Sequence, residues 1–380
     1  MQINNLYFLF ILFLNVVTFV LVNSYDFHGT AVLFKPVVNK EHLFPVLLFI
    51  IVGYFLLFIY LKKTLLFRKY YFINYSSYIL DIFFFFVLIF NFLVFFIFGL
   101  GTAGSSNQSI GFLLNILPTN ILTVIYFCLI KKYSFLSILN IILSVLLIFI
   151  KGWTGLLLIM VMITIFSKYN SLNFKKLLKL SIFATILLSL YYPLFLLKYY
   201  IREGVLFDIS PFYAYEYALS RLTLFSNFCV YIDNIDEILI KTSDLKGDFF
   251  YVYDAILSLL PKSLFGINNY LPNDNIYATI LDETLINSGI AMSLLGIYLL
   301  SINLNILNII LFPLFISILY FILYNLLALI WCKKIKYFYI LSLLGTFYSG
   351  NIKEIVILIY STFIFIIIFL FANFFSYEKK

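Results

Sequence analysis

The chain has 380 residues, of which 64% are hydrophobic and only 11% carry a charge. This composition excludes a water-soluble protein, because about a quarter of the residues in an ordinary soluble domain are charged. The net charge of +8 does not indicate a nucleic-acid partner, since Lys and Arg in membrane proteins record topology. We therefore expect an all-α, polytopic membrane protein that binds no nucleic acid.

Apolar runs long enough to cross a bilayer, about 20 residues each, recur on both sides of one large hydrophilic segment. Seven runs form a predicted N-terminal membrane bundle, 1–197, and lie at about 6–23, 43–61, 76–99, 110–130, 134–150, 153–167 and 178–197. Four more form a predicted C-terminal set, 285–380, and lie at about 285–303, 305–331, 337–350 and 355–375. The sequence thus predicts about eleven transmembrane helices, within a range of ten to twelve, because Pro313 can break the run at 305–331.

Basic residues mark alternate connections between these runs. They are Lys62, Lys63, Arg68 and Lys69, then Lys131 and Lys132, then Lys168, Lys175, Lys176 and Lys179. By the positive-inside rule these connections are cytoplasmic, so the hydrophilic segment 198–284 is expected on the opposite side. Strict counting also places Lys333, Lys334 and Lys336 outside, whereas their charge favours the cytoplasm, and the sequence leaves their side open.

The hydrophilic segment 198–284 holds 12 of the chain's 17 acidic residues but only six of its 25 basic ones. Apolar residues at helical spacing near 214–224 and 251–260 predict short amphipathic helices on the membrane face. Turn-forming sequences at 266–269 and 271–275 divide the remainder into short elements. We expect the active site in this large external loop.

Two of the chain's three arginines, Arg202 and Arg221, lie in this loop. A guanidinium group binds phosphate through two parallel hydrogen bonds and keeps its charge, so both are candidate phosphate ligands. Lys262 is a candidate for a third cationic contact. The alternative is that the arginines pair with nearby carboxylates such as Glu203 or Glu216, and that Lys262 is simply solvated.

Glu283 and Asn287 stand four residues apart before the next apolar run, so on a helix they share one face at the outer end of the bundle. The alternative is an ordinary helix start, where acidic residues favour the helix dipole. Asp81 lies inside the third apolar run. Because a carboxylate that faces lipid is costly, we expect Asp81 to reach the membrane surface or to pair with Arg68 or Lys69.

Metal and redox chemistry have little support in the sequence. The three cysteines, Cys128, Cys229 and Cys332, are widely spaced, and neither they nor the two histidines show the spacing of a metal site or a disulfide framework. We expect no metal and no cofactor. Acid–base chemistry must then rest mainly on carboxylates.

The order of these features resembles the O-antigen polymerase (Wzy) family, the oligosaccharide repeat unit polymerases. The resemblance rests on a polytopic chain of this length, on the late external loop with Arg221, on Leu260-Pro-Lys-Ser-Leu-Phe265 and on Glu283-Thr-Leu-Ile-Asn287-Ser-Gly289. It covers most of the architecture but few residues. In some members of the family, an Arg is followed by ten residues and then by Gly. This pattern is absent after both Arg202 and Arg221.

The resemblance implies a metal-independent glycosyltransferase of the bacterial inner membrane. Such an enzyme polymerises undecaprenyl-diphosphate-linked repeat units into O-antigen or a related surface polysaccharide at the periplasmic face, with the growing lipid-linked chain as donor and a new lipid-linked unit as acceptor. On this basis Arg202, Arg221 and Lys262 bind the diphosphate, Glu283 is the catalytic base and Asn287 positions the acceptor. Expected partners are the lipid-linked oligosaccharide, membrane lipid and a chain-length regulator protein.

Two other functions stay open, a lipid-linked oligosaccharide flippase and an O-antigen ligase. A flippase is expected to place charges within many spans and needs no large external loop, whereas the charges here are concentrated in 198–284. A ligase shares architecture and substrate with a polymerase, but its family pattern has a histidine in the large loop. This loop contains no histidine, so the sequence favours the polymerase.

Overall fold

The computed structural model describes residues 3–25, 39–64, 77–98, 118–130, 133–151, 154–168, 174–203, 210–222, 224–259, 271–281, 283 and 290–377. All regular secondary structure in these residues is helical. The first seven helices are α1 (Ile3–Tyr25), α2 (Leu43–Thr64), α3 (Ser77–Phe98), α4 (Thr119–Leu129), α5 (Phe135–Ile150), α6 (Thr154–Lys168) and α7 (Phe174–Glu203). The next five are α8 (Pro211–Leu222), α9 (Phe225–Asp233), α10 (Ile235–Lys246), α11 (Phe250–Leu259) and α12 (Asn273–Leu281). The last four are α13 (Ser293–Leu304), α14 (Asn308–Leu329), α15 (Lys333–Ser349) and α16 (Ile352–Tyr377).

Four stretches of helix are long and apolar enough to cross a bilayer by length and composition. They are Lys40–Lys62, Tyr78–Ile97, Asn308–Leu329 and Ile352–Ala372. Shorter apolar helices accompany them, including α4, α5, α6 and α13. Large apolar side chains such as Phe86, Phe96 and Phe321 point outward from the long helices, as expected of surfaces that face lipid. These features confirm an all-α membrane protein, while the count of eleven spans stays a prediction.

The structure gives the extent of two helices in the C-terminal set. The run at 285–303 contains a described helix of only 12 residues, α13, which is about 18 Å long at 1.5 Å per residue. That length is too short for a hydrocarbon core of about 30 Å. The run at 305–331 forms one unbroken helix, α14, with Pro313 in its second turn, where the missing N–H removes a single intrahelical hydrogen bond.

Helix α16 lies at the centre of the packing, in contact with α3, α4, α11 and α14, while α15 packs against α4, α6 and α13. Aromatic rings join these helices. The ring centroids of Tyr251 and Phe312 are 5.2 Å apart, and those of Tyr54 and Phe347 are 5.0 Å apart. One apolar core therefore includes helices from the segment 198–284 as well as helices on either side of it.

Helix α9 is inserted into this core, which differs from the expectation of amphipathic helices on the membrane face. Seven of its nine residues are buried, and it contacts α1, α2 and α13. Asn15, halfway along α1, accepts the backbone N–H groups of Leu224 and Phe225 through Oδ1 at 3.1 Å. These bonds satisfy donors at a helix end that is shielded from water. At the other end, Asp233 Oδ1 lies 2.6 Å from His42 Nδ1.

Helices α4 and α15 meet where α4 ends and α15 begins. Lys334 Nζ lies 4.6 Å from the centroid of the Phe127 ring and donates to the Phe127 carbonyl at 3.4 Å. Cys332 Sγ donates to the Cys128 carbonyl at 3.4 Å. The basic start of α15 therefore lies at the same end of the bundle as the last turn of α4.

Candidate functional site

The structure describes the sequence-predicted site residues only in part. Arg202 lies in the last turn of α7 and Arg221 in the last turn of α8, and both side chains are outside the described part of the chain. Lys262 and Asn287 also lie outside the described residues. Glu283 is described and exposed. The described residues thus do not bring the five together, and their roles stay predictions.

A buried charged cluster lies where α10, α11 and α12 meet. Lys246, the last residue of α10, donates from Nζ to Asp254 Oδ1 at 2.7 Å and to Asn273 Oδ1 at 2.5 Å. The side chains of Lys246 and Asp254 are only 2% and 7% exposed. A buried ion pair offsets its desolvation cost only when its geometry is good and its hydrogen bonds are satisfied. These three side chains therefore fix the positions of three short helices relative to one another.

The local sequence explains how Lys246 and Asp254 come together. Gly247 follows α10 with a φ of +73° and a ψ of −171°, a backbone conformation that is essentially confined to glycine. The turn that it allows leads directly into α11. Asp254 then shares the buried face of α11 with Phe250 and Tyr251, because residues three and four apart lie on one side of a helix.

The turn between α15 and α16 completes the cluster. Asn351 Nδ2 donates to Asp274 Oδ2 at 2.8 Å. Gly350 has a φ of +67°, and a Cβ at this position would lie 2.5 Å from the backbone C and O of Ser293. Glycine is thus required here both by the backbone conformation and by the close approach of the chain that leads into α13.

A small pocket lies at this junction. It is lined by Asp254, Asn273, Asp274, Met292, Ile297, Ser349, Gly350, Asn351 and Ile352. Two of its residues each carry a buried atom with no hydrogen-bond partner among the described residues, the donor Asn273 Nδ2 and the acceptor Asp274 Oδ1. Because each unpaired buried group costs about 1–3 kcal/mol, the pocket suits a ligand group that both accepts and donates. A hydroxyl group and a water molecule are both groups of this kind.

Burial sets the electrostatics of this pocket. It raises the pKa of Asp274 above the usual range of an aspartate, with the charge of Lys353 opposing the shift and that of Asp254 adding to it. Burial also lowers the pKa of Lys246, and the Asp254 carboxylate opposes that shift. A carboxylate with a raised pKa accepts a proton more readily near neutral pH than an ordinary aspartate.

The side chains of the cluster can bind a hydroxyl group and accept a proton from it. Within the described ranges, no group of three or more His, Cys, Asp or Glu side chains is arranged to hold a metal ion. The Asp254 carboxylate is held by the Lys246 ammonium, and the Asp274 carboxylate by the Asn351 amide. The Asn351 amide thus fixes Asp274 Oδ2, and Asp274 Oδ1 has no side-chain donor among the described residues.

Comparison of the chain with protein-family models, with curated proteins and with solved structures finds no match. The cluster must therefore be interpreted from its own geometry. Sequence reasoning treated 271–275 as turn residues only and did not identify Lys246, Asp254, Asn273, Asp274 or Asn351 as a site. The available signal was the triplet Asn273-Asp274-Asn275, which has more hydrogen-bonding groups than a turn requires.

Proposed function

We propose that the chain is the glycosyltransferase implied by the sequence resemblance, an inner-membrane enzyme that polymerises undecaprenyl-diphosphate-linked repeat units. The observation that carries the proposal is the unpaired donor of Asn273 beside the unpaired acceptor of Asp274 at one buried pocket. A sugar hydroxyl satisfies both atoms, because its oxygen accepts from Asn273 and its O–H donates to Asp274. This is the arrangement needed to hold an acceptor hydroxyl and to remove its proton.

In the proposed reaction, the hydroxyl oxygen of the new repeat unit attacks the anomeric carbon of the growing chain. A carbon–oxygen bond forms there, and the bond between that carbon and the diphosphate oxygen breaks. Undecaprenyl diphosphate leaves with the electron pair, and the hydroxyl proton passes to Asp274 Oδ1. Asp274 thus takes the role of base that the resemblance gave to Glu283. Lys246 acts as a positioning residue, since it holds Asn273.

The departing diphosphate requires positive charge nearby, because negative charge develops on it as the bond breaks. Arg202, Arg221 and Lys262 stay the proposed ligands for this group. Asn287 stays the proposed contact to the acceptor, four residues after Glu283 in the sequence.

The position of the pocket supports a reaction at the external face of the inner membrane. The pocket and Lys334 lie at opposite ends of α15, a helix of 17 residues and therefore about 25 Å long. Basic residues favour the cytoplasmic side of a membrane. The end of α15 that carries Lys334 also contacts the last turn of α4, and Lys131 and Lys132 follow α4 in the sequence. The pocket then lies near the far surface of a hydrocarbon core about 30 Å thick, the level at which lipid headgroups are found.

The test is complementation of a strain that lacks the gene, with the surface polysaccharide separated on a gel. We expect the deletion strain to carry a single repeat unit, the wild-type chain to restore a full ladder, and Asp274→Asn to restore none at the same protein level. Asp244→Asn is the matched control, because Asp244 is an exposed carboxylate on α10, and it should restore the ladder. A full ladder in the deletion strain, or with Asp274→Asn, would refute the proposal.

A deletion strain that carries no repeat unit at all would indicate the flippase or the ligase instead. A flippase and a ligase are each needed before any repeat unit reaches its final carrier, whereas a polymerase is needed only to join further units to the first one. The number of units left in the deletion strain therefore separates a polymerase from the other two functions without any assumption about individual residues.

A further inference from the structure

A second polar cluster lies within the membrane-spanning helices and takes no part in the proposed reaction. Asp81 of α3 is 2% exposed, so the expectation that it reaches the membrane surface is wrong, and the expected partners Arg68 and Lys69 lie outside the described residues. Its carboxylate accepts hydrogen bonds from the hydroxyls of Tyr126 at 2.6 Å and Ser134 at 2.9 Å. Both oxygens act as acceptors, which is the pattern of a carboxylate anion.

Two oxygen atoms on α5 have no hydrogen-bond partner among the residues that the structure describes. Asn140 of α5 donates from Nδ2 to the Asp81 carbonyl at 2.8 Å and to the Tyr126 hydroxyl at 3.1 Å. Asn140 Oδ1 and Ser144 Oγ are buried and have no hydrogen-bond partner among the described residues. Asn140 and Ser144 are one helical turn apart on the buried face of α5, so their side chains point to the same side.

The possible occupants of this cluster differ in what they would satisfy. A water molecule would pair with the two oxygens but leave the buried negative charge in place. A proton would neutralise Asp81 but leave Asn140 Oδ1 and Ser144 Oγ unpaired. A small cation would do both, because it binds oxygen atoms and offsets a charge that is expensive in a membrane. The salt bridges found within the described ranges do not involve Asp81.

We propose that this cluster binds a monovalent metal cation, for which sodium is the probe. Asn140 Oδ1 and Ser144 Oγ are direct ligands, and the Asp81 carboxylate supplies the balancing charge through the Tyr126 hydroxyl. The Phe84 ring stacks on the Tyr126 ring with centroids 4.1 Å apart and covers the cluster on one side. Ser134 is only half-buried, so it marks the route by which a cation enters.

The experiment compares the melting temperature of the purified full-length chain in detergent in sodium chloride and in choline chloride, both at about 0.15 M. Choline is too large for the site, so the two salts differ in the bound ion at equal ionic strength. We expect a melting temperature about 3 °C higher or more in sodium chloride, because a ligand that binds only the folded state stabilises it. An equal rise in potassium chloride would support the same class of ligand.

Two variants locate the effect. Ser144→Ala removes one ligand without breaking any hydrogen bond given by the described residues. Asp81→Asn removes the charge, keeps one acceptor oxygen and replaces the other with an NH2 group, to which the Ser134 hydroxyl can act as acceptor. Both should melt at the same temperature in sodium and in choline. Ser361→Ala is the matched control, because Ser361 is a fully buried serine whose hydroxyl bonds to its own helix, and it should keep the difference.

Equal melting temperatures of the wild-type chain in the two salts would overturn the proposal. It would also be overturned if both Ser144→Ala and Asp81→Asn kept the full sodium effect. Should Ser144→Ala not fold, Asp81→Asn alone decides between these outcomes. None of these results bears on glycosyl transfer, so the cation site and the proposed function stand or fall separately.

Discussion

The contact between Gly350 and Ser293 provides a quantitative test of how the pocket is built. Gly350→Ala forces a residue with a Cβ into a left-handed backbone conformation, which lowers the free energy of unfolding by about 1–2 kcal/mol. The new Cβ would lie 2.5 Å from two backbone atoms of Ser293, and relief of such overpacking by backbone shifts costs about 1–3 kcal/mol more. We expect a loss of about 2–5 kcal/mol in the free energy of unfolding. Since the neighbouring Asn351 holds Asp274, the proposed polymer synthesis should fall as well.

Two other glycines separate these contributions. Gly247 has a φ of +73° and a ψ of −171°, and a Cβ added there would meet no atom within 4 Å, so Gly247→Ala should cost about 1–3 kcal/mol through its backbone conformation alone. Gly345, inside α15, also has nothing within 4 Å, and Gly345→Ala should stabilise the helix by about 0.5–1 kcal/mol. Reversible unfolding in mixed detergent micelles measures all three. If Gly350→Ala costs no more than the roughly 1–2 kcal/mol of a left-handed backbone alone, the close contact with Ser293 is not formed and the reasoning fails.

Three further predictions address the buried cluster and the topology. Lys246→Met should lower the free energy of unfolding by about 3–5 kcal/mol, because it takes the ammonium group away from the buried Asp254 carboxylate. Adding Asp254→Leu should recover part of that loss in a double-mutant cycle, since removal of a whole buried pair costs less than removal of one partner. The pKa of Asp274 is raised in the folded state. Its carboxyl group therefore contributes to the stability of the folded state at pH below about 4, and this contribution is lost as the pH rises. Asp274→Asn should therefore gain stability over the wild type toward neutral pH, and an unfolding series from acidic to neutral pH that shows no such trend would contradict this. In spheroplasts of a cysteine-free background, an impermeant maleimide should label Asp248→Cys at once but Lys333→Cys only after permeabilisation.

The sequence predicts the long helices well because hydrocarbon burial selects a simple pattern, a continuous apolar run. The run at 43–61 becomes Leu43–Thr64, and the run at 355–375 becomes Ile352–Tyr377. At 285–303 the described helix is Ser293–Leu304, which packs against α9, α10, α14 and α15. Apolar composition there suits burial against other helices as well as contact with lipid, and composition alone cannot separate these two reasons for an apolar run.

The candidate site could not be assembled from the sequence. Lys246, Asp254 and Asp274 were visible as charged residues of the loop, but similar residues stand throughout 198–284. What distinguishes them is burial, which depends on the packing of three short helices and on the turn at Asn351, over 70 residues away in the chain. Periodicity reports which side of one helix is apolar. It carries no information on which polar residues from separate helices will meet.

The pocket depends on two parts of the chain that the sequence suggests are separate. Helices α10, α11 and α12 contribute Lys246, Asp254 and Asp274, while α11 packs along α16 and Tyr251 contacts Phe312 of α14. The desolvation of Asp274 is a cost that must be offset by this packing, because an exposed loop would hydrate the carboxylate and return its pKa toward the ordinary value. A segment 198–284 expressed alone would lose the contacts to α14 and α16 together with the hydrogen bond from Asn351. We therefore expect the reactive character of Asp274 to exist only when the membrane-spanning helices and the acidic segment fold as one unit.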